Sequence, residues 1–231
     1  MLTSHTGHGF RSFIYAVTDF FSQKEHIRSI ALAALVIACG IGGYFGYRWY
    51  DSRKQAEAQY SFGMLLDQFN TAFEKQDTDF AMLAQDFGAG YETHKNTAIA
   101  PYFLSFQADA LLQAGNKKEA LQVMDKAVTA HTSATPLLNL MKTKRALLAL
   151  DANDDEARQQ QGLNELEKLG QDTTNMYRDY ALYHLGMYHW IHENSNAARL
   201  AWQELVDIQD TGMFSASPWA SLVAEKLQSI S

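Results

Sequence analysis

The most constraining feature of this sequence is an uncharged run from Ser29 to Tyr47. As a helix rising about 1.5 Å per residue, the run is roughly 28 Å long, close to the hydrocarbon thickness of a bilayer. Aromatic and basic residues that suit the headgroup level lie at its downstream end and just beyond it: Tyr44, Tyr47, Arg48, Trp49, Tyr50, Arg53 and Lys54. We therefore predict an N-terminal segment at 1–28, a transmembrane anchor at 29–50 and a folded domain at 51–231.

Cys39 permits a second interpretation of the same run. In Val36-Ile37-Ala38-Cys39 a small residue precedes a cysteine, as at the site where a bacterial lipoprotein is cleaved and acylated. That would make the protein a lipidated outer-membrane assembly factor. However, 28 residues precede the run, where a secretory signal has only a few, and the run continues past the cysteine. The sequence favours a retained anchor and leaves lipidation of Cys39 open.

Small residues are spaced four apart within the predicted anchor, at Ala34, Ala38, Gly42 and Gly46. This stripe would let another transmembrane helix approach closely, although small residues are common throughout the span and explain the spacing as well. Before the anchor, apolar residues recur at helical spacing and predict a short interfacial helix, with a protein contact or disorder as the alternatives. They are Phe10, Phe13, Ile14, Val17 and Phe21.

Charge is distributed unevenly along the chain. The total formal charge is −7, yet residues 55–231 carry 13 basic and 23 acidic side chains, a balance of −10. An acidic domain of this kind repels nucleic acid, so we expect no nucleic-acid partner. The basic residues on the two sides of the anchor are equal in number, so charge alone does not orient it. The single cysteine lies in the apolar run, which excludes disulfides and zinc–cysteine sites from the domain.

The domain reads as consecutive amphipathic helices. A first helix is predicted from about Ser52 to Gln76, with N-capping oxygens for the next helix at Asp77-Thr78-Asp79. Three helix pairs follow, at residues 101–128, 136–169 and 179–207, and Ala108, Arg145 and Gly186 occupy equivalent places in them. Their offsets of 37 and 41 residues depart from the strict tetratricopeptide period of 34. The predicted fold is all-α, a transmembrane helix followed by a tetratricopeptide-like α-solenoid of stacked antiparallel helix pairs with a C-terminal capping helix.

The order of several pieces carries a family resemblance. These are Phe20-Phe21 before the span, "GYRWY" at its exit, the helix "AEAQYSFGMLL" and the pair "APYFLSFQADALLQAGNKKEAL". The arrangement resembles the YfgM family of tetratricopeptide-like inner-membrane proteins. The resemblance implies a cytoplasmic N-terminus, a periplasmic domain on the bacterial inner membrane, and a chaperone-like role. The implied partners are Sec translocon subunits, a periplasmic chaperone and exported polypeptides.

No motif for phosphate binding, serine hydrolysis or zinc proteolysis occurs. His184, His189 and His192 share one stretch but lack a further ligand at helical spacing, so we expect no metal, no cofactor and no enzyme activity. Binding is predicted instead, on the first helix of each pair, with no small-molecule substrate. The candidate concave-face residues are Tyr102, Ser105, Asp109, Leu112, Asn139, Lys142, Tyr180, Tyr183, Met187 and Trp190. The alternative is that the last four pack against a C-terminal helix at about Pro218–Ile230.

Overall fold

The computed structural model describes residues 24–75, 79–131, 136–151, 155–210 and 217–229, and these residues form helices without strands. The predicted interfacial helix between Phe10 and Phe21 lies outside them. The helices are α1 (Lys24–Lys75), α2 (Phe80–His94), α3 (Ala100–Gln113), α4 (Lys117–Ala130), α5 (Pro136–Leu150), α6 (Glu156–Gln171), α7 (Arg178–Ile191), α8 (Ser195–Asp210) and α9 (Pro218–Ser229). The all-helical fold with an N-terminal apolar helix and stacked helix pairs is confirmed.

Helix α1 differs from the prediction in its start. We expected a new helix near Ser52, but α1 runs without a break from Lys24 to Lys75. No proline interrupts the segment after Tyr47, and its residues are mostly helix formers, so the capping-box pattern from Ser52 to Gln55 does not start a new helix. The chain divides into two compact units, one up to Lys54 and one from Gln55 to Ser231.

In the first unit, α1 is long and apolar enough, by length and composition, to cross a membrane, and it lies near the N-terminus, where a signal sequence has the same character. Its side chains are exposed over residues 31–50. A Cβ atom added at Gly42 or Gly46 would meet no atom within 4 Å. The stripe of small residues is therefore exposed on this helix.

An aromatic cluster joins α1 to α2 and α3 in the second unit. The Phe62 ring lies 5.2 Å from Phe103 and 6.3 Å from Phe87, and Phe69 lies 5.4 Å from Phe106. These contacts are mainly edge-to-face, an arrangement that adds to the free energy of burying the rings. Phe73 of the same helix is 50% exposed, because it lies at the end of α1.

The predicted N-cap of α2 is present at Asp79. Its carboxylate accepts hydrogen bonds from the backbone N–H groups of Ala81 and Met82, at 3.0 and 3.1 Å. These bonds satisfy two amides of the first turn that have no partner inside the helix. The turn between α3 and α4 has Gly115 at φ +83°, a conformation that glycine adopts without strain.

Small residues form the tight contacts between paired helices. A Cβ at Gly186 of α7 would lie 2.1 Å from Nε1 of Trp202 in α8, and one at Gly162 of α6 would lie 2.8 Å from the Ala146 carbonyl oxygen of α5. The predicted equivalence of Arg145 with Ala108 and Gly186 is therefore wrong by one residue. Ala146 is fully buried at this contact, whereas the neighbouring Arg145 points toward α4 and α6.

Arg145 links three helices through its charge. Its Nε donates to Oε2 of Glu165 at 3.0 Å, and its Nη2 donates to Oε1 of the same carboxylate. Its Nη1 lies 3.9 Å from Oδ1 of Asp125. The Arg145 and Glu165 side chains are only 22% and 17% exposed. A two-pronged arginine–carboxylate bond with little access to water is stronger than a surface ion pair.

We expect Arg145→Ala to lower the free energy of unfolding by about 2 to 3 kcal/mol, because it leaves Glu165 half-buried without its partner. Arg158→Ala is the matched control. Arg158 pairs with Asp155 one turn away, both side chains are over 40% exposed, and its loss should cost less than about 1 kcal/mol. Urea unfolding of the two variants measures the difference, and equal losses would show that the buried pair adds nothing.

Among the residues that the structure describes, the apolar interior forms three clusters along the chain. The first joins α1 to α5 and includes Phe87, Phe103 and Met124. The second joins α5 to α8 around Leu166. The third joins α7 to α9 around Trp202. Each cluster is built from helices that are close in sequence, as in other stacked helical repeats.

Candidate binding face

The predicted face on α3 contains one side chain that a partner could not reach. Ser105 is 5% exposed and belongs to the interior. Leu112 packs on the first apolar cluster, and Tyr102, also half-buried there, places its ring edge-to-face with Phe62 at 6.0 Å. Asp109 is accessible at one side and forms an ion pair with Lys144 at 2.5 Å. Tyr102, Asp109 and Leu112 are thus partly accessible, and Ser105 is not.

The two predicted residues on α5 are half-buried. The Asn139 carbonyl oxygen accepts a hydrogen bond from the hydroxyl of Thr143 at 2.9 Å. Lys142 lies near Asp172, a residue of the turn after α6. The pKa of Asp172 is lowered mainly by hydrogen bonds from Thr174 and also by the positive charge of Lys142. Lys142 therefore lies on the side of α5 that faces the turn between α6 and α7. Lys144, which was not among the predicted residues, pairs with Asp109 of α3.

On α7, two predicted tyrosines meet the C-terminal helix. The ring of Trp219 in α9 lies 4.8 Å from Tyr183 and 5.1 Å from Tyr180, and His184 contacts both tyrosines. The structure thus contains the packing that the sequence offered as an alternative to an open face. The Ser217 hydroxyl, just before α9, donates to Oδ2 of Asp179 at 2.6 Å.

The other two predicted residues of α7 differ in exposure. Met187 is half-buried against the third apolar cluster. Trp190 is 37% exposed, with its ring centroid 6.0 Å from that of Trp202. Of the four, Trp190 presents the most surface to a partner.

Charged and aromatic groups from three helices converge around Asp109. Lys144 lies 5.6 Å from the ring centroid of Phe106 while it pairs with Asp109. Burial, and next the negative charge of Asp109, raise the pKa of the Tyr180 hydroxyl, so it stays protonated. Burial also lowers the pKa of His184, which favours its neutral form. The face therefore combines one ion pair with neutral aromatic groups.

A groove of about 670 Å³ lies among the ends of α3, α4, α5 and α7. Tyr102 is its one member among the predicted residues. The remaining lining residues are Lys95, Thr97, Ala98, Ala100, Pro101, Ala130, His131, Pro136, Leu137 and Tyr177. We call this set of residues, with Tyr102, the edge groove. It offers two tyrosines, aliphatic surface and a lysine, which suits an extended segment with apolar side chains.

Few features of the sequence indicate the edge groove. Tyr177 is the N-cap residue of α7 without a side-chain capping bond, and Pro136 and Leu137 form the first turn of α5. The repeat pattern directs attention to mid-helix positions, whereas the groove uses residues at helix starts and in turns.

In the described part of the chain, no group of three His, Cys, Asp or Glu residues could hold a metal ion. His189 and His192 lie on one turn, and the His192 ring is occupied by a contact of 2.8 Å between Nδ1 and the Tyr188 carbonyl oxygen. The absence of a metal site and of enzyme activity stays a prediction.

These features define an all-helical, tetratricopeptide-like domain, a class whose common role is to bind other proteins. In keeping with this, the chain is similar to the crystal structure of a tetratricopeptide repeat protein from Parabacteroides merdae, with a TM-score of 0.51 and 18% identity over 74% of this chain. The chain spans 60% of that protein's length, and the likeness establishes the fold alone. No protein-family model matches the sequence, and no curated protein matches it.

Proposed function

We propose that this protein is a membrane-anchored scaffold that binds polypeptide segments and catalyses no reaction. The observation that carries the proposal is the edge groove, where Tyr102, Tyr177 and Leu137 border an open space on a stack of helix pairs. Rigid aromatic rings beside aliphatic surface supply binding area at low entropic cost, and Lys95 at the rim favours an acidic residue in the partner.

The apolar part of α1 supports the anchor. It has the length of a bilayer crossing, and its side chains are exposed over residues 31–50. Because the order of the sequence elements resembles the YfgM family, we place the domain at the periplasmic face of the bacterial inner membrane. The partners proposed on that basis are Sec translocon subunits, a periplasmic chaperone and exported polypeptides.

Site-specific crosslinking tests the groove in cells. A photoreactive amino acid in place of Leu137 should crosslink to polypeptides, and Tyr177→Ala should reduce these adducts severalfold, because the ring forms part of the wall. The control places the same amino acid at Gln203, an exposed position of α8 away from the groove. Equal adducts at both positions would contradict binding in the groove.

The orientation in the membrane requires a separate experiment. A fusion at Ser231 to reporters that are active in only one compartment shows on which side of the membrane the domain lies.

Cys39 distinguishes the anchor from a lipoprotein. The residue lies on the exposed surface of an uninterrupted helix, which is the setting of a small membrane-facing side chain. We expect Cys39→Ser to leave the mass of the mature protein and its membrane attachment unchanged. Loss of acyl labelling together with accumulation of a heavier precursor would instead establish lipidation, and Ala38→Ser serves as the control for substitution in the helix.

A further inference from the structure

Three cation–aromatic pairs follow the apolar run of α1. The guanidinium carbon of Arg48 lies 6.0 Å from the Tyr44 ring centroid, and that of Arg53 lies 4.4 Å from the Trp49 ring. The ammonium of Lys54 lies 4.5 Å from the Tyr50 ring. In each pair the two residues are four apart, so the cation lies one turn beyond its ring. We call these six residues the girdle.

The girdle surrounds the helix. At 100° per residue, the three pairs point in directions separated by roughly 100° to 140°. A helix that packs on a protein partner contacts it through one face. The even distribution of the three pairs around the helix axis instead suits a medium that contacts every side of the helix. The girdle rings are more than half exposed, so they face that medium and not the chain's own interior.

The cations are also available to an external anion. Within the described residues, Arg48, Arg53 and Lys54 form no salt bridge with a carboxylate, whereas several cations of the second unit do. Tyr50 raises the pKa of Lys54 through a side-chain hydrogen bond, so the ammonium remains charged. A guanidinium above a ring keeps N–H groups directed outward, in the geometry that binds phosphate oxygens.

We propose that the girdle binds the phosphate groups of anionic phospholipids and thereby fixes the depth of α1 in the bilayer. The apolar run would enter the hydrocarbon, the rings would lie at the headgroup level, and the cations would lie at the phosphates. The acidic domain cannot supply this attraction, since residues 55–231 carry an excess of ten negative charges. The inference rests on the proposed membrane anchor.

The test measures which lipids the full-length protein retains. The protein is reconstituted into equal mixtures of phosphatidylglycerol and phosphatidylcholine, and spin-labelled analogues of each report their relative affinity for the protein surface. The wild-type protein should prefer phosphatidylglycerol, and each of Arg48→Gln, Arg53→Gln and Lys54→Gln should lower that preference by up to about fivefold at low salt. The preference should weaken as salt is added.

Two further variants show where the preference originates. A control that combines Lys118→Gln, Lys126→Gln and Arg199→Gln removes three charges from exposed positions of the second unit, as many as the three girdle substitutions together, and should leave the preference unchanged. Tyr44→Leu, Trp49→Leu and Tyr50→Leu keep the cations but remove the rings, and should give an intermediate preference. Equal retention of both lipids by the wild type would overturn the proposal, as would an equal loss in the control.

The outcome is independent of the polypeptide-binding proposal, because no polypeptide is present. A preference that appears only when an acidic partner protein is added would assign the girdle to that protein and overturn the lipid assignment. The mass of the mature protein from cells shows whether the chain is cleaved before the girdle. Cleavage there would contradict the proposed anchor, whereas the lipid measurement on the full-length protein tests the girdle alone.

Discussion

Replacing Gly186 with alanine is expected to lower the free energy of unfolding by about 3 kcal/mol, equivalent to a fall of about 10 °C in the melting temperature. The new Cβ would lie 2.1 Å from Nε1 of Trp202, far inside van der Waals contact. The Trp202 ring is fully buried and donates to the Tyr183 carbonyl oxygen at 3.2 Å. It can avoid the clash only if α7 and α8 separate or this hydrogen bond breaks.

Gly63→Ala is the matched control for the same chemical change. A Cβ at Gly63 would meet no atom within 4 Å, and the residue lies in an exposed part of α1. Alanine has the higher helix propensity, so this variant should gain about 0.5 to 1 kcal/mol. The two variants thus change stability in opposite directions. If Gly186→Ala were as stable as the wild type by calorimetry, the close packing of α7 on α8 would not be a constraint.

Removal of the Trp219 side chain should have an effect of similar size. Trp219 contacts Tyr180, Tyr183 and His184 and packs with the third apolar cluster. We expect Trp219→Ala to cost about 3 kcal/mol and to detach α9, because truncating a large ring in a packed site leaves its neighbours without contacts. Rapid proteolysis before Pro218 and a lower melting temperature are the measurements.

Trp190→Ala provides the comparison for an exposed ring. Trp190 is 37% exposed, so its truncation should cost less than that of Trp219, about 1 to 2 kcal/mol, and should leave α9 attached. Tyr183→Ala should resemble Trp219→Ala, since the two rings face each other at 4.8 Å. If Trp219→Ala kept the wild-type melting temperature and protease resistance, Tyr180 and Tyr183 would be free to serve as binding groups.

Local sequence features predicted most of the helix pairs. Apolar residues at three- and four-residue spacing identify the buried faces, Asp79 identifies a helix start, and Gly115 identifies a turn. These signals depend on neighbours along the chain. They also predict a close helix contact at Gly186, because a small residue among large ones lets a neighbouring helix approach.

Tertiary contacts set the remaining details. Arg145 and Ala146 are adjacent, and no local pattern says which of them meets Gly162 and which reaches Glu165. The contact of Tyr183 with Trp219 joins residues from separate segments, so the spacing within α7 left both an open face and a covered face possible. The edge groove escaped prediction because Tyr177 and Leu137 meet only after the pairs have stacked.

The division of the interior into three clusters bears on the order in which the chain can fold during synthesis. The first cluster is formed by residues between Phe62 and Leu148, the next extends to Ala201, and the last is completed by Leu227. None of the first cluster's contacts needs the C-terminal third of the chain. Because sequence-local contacts form quickly, the N-terminal pairs can acquire their native structure while later residues are still emerging, and each new pair then folds on a surface already in place.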